Sequence, residues 1–377
     1  MSQDFKQARF STHEKLVGKL KSLSHGDDIK SLASFAKAYL GMYLDIDSEL
    51  SPVERVSLLV DEDILDSIWA GFDAVLHGED ILSPEEIGRL FVKDERSSQG
   101  YIVLAAIDKV IADHSGKLEE VLTEDRLLES LVCFHYVDRN DLKNQWLDHL
   151  VQHRPQLVSS ALLRFWQSIS ASGVERYPGF REILQKAEFS SVLKNIALPV
   201  LKNIPHLNRK LLPVLLQSAF QYVPHRDLFQ ACQFRLADDA DMSVRQHVYW
   251  LGSAYLLAPV EYEAVLFDYV GRTREKALPL LNFVEQIIKN RKDCQLEVSA
   301  NMLASLLYMI APKFRPGRDR FGRLDDNVLK IVWLFNLLGQ YADADGRQAI
   351  LRLRKIRVMR LYSEFLDMAE QTQLDLR

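Results

Sequence analysis

Apolar residues recur at helical spacing along almost the whole chain. After Pro155, Val158, Ala161, Leu162, Phe165, Trp166 and Ile169 form one stripe on a helix of 3.6 residues per turn. The same reading holds for Val244, Val248, Leu251 and Tyr255, and for Val328, Ile331, Val332, Phe335 and Leu338. The best strand candidate, Tyr101 to Leu104, runs on into Ala105, Ala106, Ile107, Val110 and Ile111, so it too reads as helix. No alternating β-branched and polar run flanks an Asn-Gly or Asp-Gly hairpin turn.

Helix starts are marked by local chemistry. Ser83-Pro84-Glu85-Glu86 sets a hydroxyl at the N-cap, proline at the first helical position and a carboxylate two residues later, which is a capping box. Ser51-Pro52-Val53-Glu54 repeats the pattern, and Ala258-Pro259-Val260-Glu261 opens a further helix. Prolines at 155, 178, 199, 205, 213, 224, 259, 279 and 312 mark further starts or kinks. The pattern predicts an all-α chain of about twenty helices joined by short loops. Such a series suits stacked antiparallel hairpins, a HEAT/armadillo-like α-solenoid with a degenerate repeat, better than one four-helix bundle. Breaks are expected near Arg139–Asp141 and in Lys313–Arg323. They divide the chain into an acidic helical part (1–138), a central HEAT-like array (139–312), and a basic loop with terminal helices (313–377).

Composition adds little about function. Of 377 residues, 47% are hydrophobic, enough to build a core and to exclude disorder as the main state. No apolar run approaches the ~18 residues of a membrane span, and the opening Met-Ser-Gln-Asp-Phe-Lys has no apolar signal core. Cys133, Cys232 and Cys294 form no CxxC pair. A cytoplasmic protein with reduced thiols is expected.

Charge is less uniform than the net value of −5. Between Asp45 and Glu86 stand 13 acidic residues and one base, Arg55, whereas residues 289–377 carry 16 Lys/Arg against 11 Asp/Glu. This asymmetry bears on partners, not on fold. In the basic part, Lys313, Arg315, Arg318, Arg320 and Arg323 interleave with Phe314 and Phe321, and Arg347, Arg352, Arg354, Lys355, Arg357 and Arg360 follow. Lys313, Arg315, Arg318, Arg320, Arg323, Arg352, Arg354, Lys355 and Arg357 are therefore the candidate phosphate or partner contacts, since guanidinium groups suit phosphate and aromatic rings can stack on unpaired bases. The bland reading is a surface loop pinned by its phenylalanines, with arginines serving solubility.

Catalytic patterns fail on their details. Gly317 and Gly322 have P-loop spacing, but Arg323-Leu324 stands where Lys and Ser/Thr belong, and the segment before is helical. His149 and His153 share a helix face, yet Leu150 occupies the place of a zincin's glutamate. Cys133 and His135 point to different sides of a helix, and Gly252-Ser253-Ala254 lies inside an apolar helix. Trp69, Trp146, Trp166, Trp250 and Trp333 read as core or interface anchors. No catalytic, cofactor or metal residue is expected, and the chain reads as a non-enzyme.

One stretch carries a resemblance. Asp241-Met-Ser-Val-Arg-Gln-His-Val-Tyr-Trp-Leu-Gly-Ser-Ala-Tyr-Leu-Leu-Ala-Pro-Val-Glu-Tyr262 resembles the helical region of large bacterial NTPases of the NACHT (STAND) type, many linked to anti-phage defence. Trp146 to Val158, Leu198-Pro-Val-Leu, Leu228 to Leu236 and the run from Asp343 to Leu376 are similar in the same way, so the likeness spans roughly 45–376. It rests on packing positions and helix caps. It implies a HEAT-like array that serves as sensor or scaffold beside a nucleotide-binding module and an effector. The Walker lysine, a Walker B strand and a nuclease motif have no counterpart here, so no catalytic residue carries over. The expectation is a scaffold that binds a protein partner, such as an NTPase or effector module. The alternative is a HEAT-like protein that binds nucleic acid through its basic part.

Overall fold

The computed structural model describes residues 16–374 apart from 44, 48, 115–116, 138–144, 205–209, 239–241, 272, 317–324, 342, 357–358 and 360. Among the described residues it contains 21 α-helices and no strand, so the chain is all-helical. No described helix is long and apolar enough to cross a membrane. The chain divides into two compact units, Met1–His206 and Leu207–Arg377, with the division inside the stretch 139–312.

In the N-terminal unit the helices are α1 (Leu20–Ser24), α2 (Ile29–Tyr39), α3 (Pro52–Ser57), α4 (Glu62–Leu76), α5 (Pro84–Val92) and α6 (Ser98–Asp113). They are followed by α7 (Leu118–Val121), α8 (Asp125–Val137), α9 (Gln145–His153), α10 (Pro155–Ser170), α11 (Phe180–Gln185) and α12 (Ser190–Asn203). The capping boxes expected from sequence close α3 and α5, where Ser51 and Ser83 exchange hydrogen bonds with Glu54 and Glu86. Helix α6 is buried at every position from Gly100 to Ile107 and packs against α2, α4 and α8. A helix covered on all sides needs no polar face, which is why this stretch looks strand-like in sequence. The acidic residues of 45–86 are mostly exposed, many in the first turns of α3, α4 and α5, where they meet the positive end of the helix dipole. Glu85 is the half-buried exception. Arg164 of α10 holds it bidentately at 2.6 and 2.9 Å and also reaches Glu129 of α8 at 2.6 Å, joining three helices.

In the C-terminal unit the order is α13 (Leu212–Tyr222), α14 (His225–Ala237), α15 (Val244–Leu257), α16 (Pro259–Val270) and α17 (Arg274–Lys289). Then come α18 (Ala300–Ile310), α19 (Asp326–Leu338), α20 (Ala344–Arg354) and α21 (Ser363–Leu374). Helices from α13 to α21 pack chiefly on the next helix and the next but one, with α13 against α17 as the main longer-range pair. By contrast, the N-terminal unit joins more distant helices, with α5 against α10 and α2 against α6. Gly252 of α15 lies beside Leu280 and Phe283 of α17, and Ser253 is buried with its hydroxyl on the Tyr249 carbonyl. This pair serves close helix packing rather than chemistry.

The tryptophans divide into two kinds. Trp146, Trp166 and Trp250 are buried, as expected of core anchors. Trp69 and Trp333 are half-exposed, each with a lysine over its ring: Lys109 at 5.2 Å and Lys289 at 5.3 Å from the centroid. A lysine so placed gains a cation–π contact while its stem covers apolar surface.

Candidate functional site

Three helices of the C-terminal unit form a groove of about 840 Å³. Each starts on a local signal. Pro259 opens α16, the Ser299 hydroxyl accepts from Met302 N–H at α18, and the Asp343 carboxylate accepts from Gly346 N–H at α20. Helix α18 supplies the floor through Ala304, Ser305, Tyr308 and Met309. Helix α16 supplies one wall through Val260, Glu263, Ala264 and Phe267; Arg352 and Leu353 of α20, with Lys355 and Ile356 just beyond it, supply the other.

The floor is held from several directions. Tyr255 of α15 donates to the Met302 carbonyl at 3.0 Å. Tyr341 donates to the Val298 carbonyl, and Tyr362 to those of Ala311 and Phe314. Burial pushes the Tyr255 and Tyr362 hydroxyls far above their ordinary pKa, so both remain donors. The groove is therefore built on satisfied backbone.

Its lining combines exposed apolar surface with charge of both signs. Val260 is 93% exposed, Tyr308 49% and Phe267 43%, and the Phe267 and Tyr308 rings lie 5.5 Å apart. On α16 only Leu266 and Val270 are buried, although the helix reads Pro-Val-Glu-Tyr-Glu-Ala-Val-Leu-Phe-Asp-Tyr-Val. Glu263 accepts from the Ser305 hydroxyl at 2.7 Å on one lip. Arg352 and Lys355, three residues apart, are exposed on the other. Among the described residues no carboxylate pairs with either of them.

The sequence-derived contact residues meet different fates. Arg352 and Lys355 come together at the groove, while Arg354 is half-buried and does not line it. Arg315 is exposed. Lys313 is half-buried, and its ammonium is committed to the Met309 carbonyl at the end of α18. Burial lowers its pKa. Phe314 is buried, with the Arg274 guanidinium 5.2 Å from its ring, so it is not presented for base stacking. Arg318, Arg320, Arg323 and Arg357, with Phe321 and Arg360, lie outside the described residues. Sequence reading missed Val260, Glu263, Ala264, Phe267 and Tyr308. The signal available was the surplus of apolar residues on 259–270 beyond the single stripe a packed helix needs.

Elsewhere the chemistry is subdued. All three cysteines are buried; burial raises the Cys133 and Cys232 thiols strongly and pushes Cys294 up to about 11. His149 and His153 lie with rings 4.4 Å apart, and among the described residues no three His, Cys, Asp or Glu could hold a metal ion. His135 packs edge-on against Trp146 and Tyr136, and burial lowers its pKa below the ordinary value of about 6.5. The folded chain thus resists protonation there, while the unfolded chain accepts a proton as pH falls through 6.5. The stability His135 contributes is present above that pH and lost below it. His135→Phe is expected to flatten the fall in denaturant midpoint between pH 7 and 5. Parallel pH profiles for the two proteins would show this assignment to be wrong.

No protein-family model, curated protein or solved structure matches the chain.

Proposed function

We propose that this chain is a non-catalytic helical scaffold or sensor that binds a protein partner through the groove between α16, α18 and α20. The observation that carries the reading is the exposed Val260, Phe267 and Tyr308 surface gathered in one concavity. Contiguous apolar patches on a protein surface mark interaction sites, because leaving such area in water is unfavourable. The near-neighbour packing from α13 to α21 supports an α-solenoid, in which each unit contacts only those beside it and one concave face is left for a partner. With the resemblance of 241–262 to NACHT-type helical regions, the proposed role is recognition within an NTPase-type defence system in the bacterial cytoplasm.

The nucleic-acid alternative draws on Arg315, Arg352 and Lys355, all exposed. It is the weaker reading, since Lys313 and Phe314 are already committed and Glu263 places a carboxylate in the same concavity.

Ala264 is exposed and lines the wall of α16, so Ala264→Trp fills the groove without disturbing the core. Affinity capture from source cells should recover an NTPase or effector subunit on the wild-type chain and lose it on the Ala264→Trp chain. Recovery of the same proteins on both would remove the groove from the proposal.

A further inference from the structure

We infer that the occupant of this groove is an amphipathic helix of a partner protein with a pair of carboxylates along one flank. The inference rests on the reading of the groove as a protein-binding site and adds the chemistry of what binds.

Three features select a helix. Val260, Ala264 and Phe267 stand at i, i+4 and i+7, a straight apolar stripe about 10 Å long at 1.5 Å per residue. Two turns of helix carrying apolar side chains at the same spacing match it, which is the helix-in-groove mode of recognition. Walls and floor come from three helices and the turn after α20, so no unpaired strand edge offers backbone hydrogen bonds to an extended peptide. The concavity of about 840 Å³ lies between α16 and α20 over the small Ala304 and Ser305 of α18, a size that suits a short helical segment.

The charges select its flanks. Arg352 and Lys355 lie about one helical turn apart on one lip, which suits two carboxylates spaced i, i+3 or i, i+4 on the partner. Glu263, held by Ser305, faces from the other lip and disfavours a second acidic flank. Apolar anchors settle on Phe267 and Tyr308, while the opposite-sign lips fix which way the occupant turns. A nucleic-acid strand fits less well, because it would bring phosphates beside Glu263 and leave Val260 and Ala264 against polar sugar.

The test is a selection on the full chain. A displayed library of helical peptides of about 16 residues, just above the length where isolated helices are marginal, carries Leu at i, i+4 and i+7 and Glu, Lys or Gln at the flanks. It is panned on the wild-type chain, on Arg352→Glu/Lys355→Glu, and on Ala264→Trp. The expected result is glutamate enrichment on one flank with wild type and lysine on that flank with the charge-reversed chain. Selected acidic peptides should bind the charge-reversed chain about tenfold more weakly. Enrichment without a charge preference, or without the swap, overturns the acidic-helix inference and leaves the apolar groove standing. Enrichment that is equal on Ala264→Trp overturns the groove reading itself. A single-stranded oligonucleotide of about 15 nucleotides that binds wild type and is lost on Arg352→Glu/Lys355→Glu would replace the helix with nucleic acid.

Discussion

Trp166→Ala is expected to destabilise the N-terminal unit by about 4 kcal/mol. The indole is fully buried in α10, meets Phe180 edge-on at 4.7 Å, and donates from Nε1 to the Pro178 carbonyl at 3.0 Å. Truncation removes the apolar area, leaves a cavity lined by a rigid neighbourhood, and orphans a carbonyl. For a unit of this size the loss corresponds to a fall of about 8–16 °C in melting temperature. Trp166→Phe keeps one aromatic ring but removes the N–H donor and part of the indole, so it should cost about 2 kcal/mol, between wild type and alanine. Circular dichroism melts read the loss, and hydrogen exchange across 155–170 locates it. A shift of only a degree or two for Trp166→Ala would contradict the packing of α10 against the Pro178 turn. Trp69→Ala serves as contrast, since that ring is only partly buried.

Gly71→Ala tests a reversal of sign. In the interior of a helix such as α4, alanine is ordinarily better than glycine by about 1 kcal/mol. Here a Cβ would stand 2.1 Å from the Leu23 carbonyl oxygen and 2.9 Å from Leu32 Cδ2. Backbone of α1 cannot rotate aside as a side chain would, so the two helices must separate. The expected net change is a loss of about 3 kcal/mol. Gly18→Ala meets nothing within 4 Å and is expected to change little. A higher melting temperature for Gly71→Ala than for wild type would show that α1 and α4 do not approach this closely.

These two variants mark where sequence reading succeeds and stops. The burial of Trp166 follows from the stripe Val158 to Ile169, because a helix with one continuous apolar face must cover it. Gly71 carries no such signal. Its meaning depends on α1 lying across α4, and side-chain periodicity says nothing about how closely two backbones approach. The caps at Ser51 and Ser83 were legible for the same reason as the stripe, since donor and acceptor lie within four residues of one another. Trp69 and Trp333 read from sequence as core or interface anchors like the other three, because their positions on helical stripes are ordinary, and the structure leaves both partly exposed. Only the placement of Lys109 and Lys289 over them shows that these faces meet water.

The basic candidates divide along the same line. Their number and sign were evident in sequence, and Arg352 and Lys355 do line a concavity. Lys313 looked equivalent, yet it closes the end of α18, and Phe314 turns into the core. Whether a loop residue faces outward depends on the course of the chain after Ile310, which neighbouring sequence does not specify. The groove joins residues near 260, 305 and 352, and no local pattern links such distant positions.

Helical class, helix starts and most core stripes were therefore set by the sequence itself, because cap hydrogen bonds and 3.6-residue periodicity act over a few residues. Tertiary structure decided which surplus apolar residues remain uncovered, which lysine is spent on a helix end, and that Val260, Phe267 and Tyr308 share one hollow with Arg352 and Lys355. Those outcomes depend on how helices far apart in the chain are laid against each other, and packing energy is summed over the whole unit rather than read from any one segment.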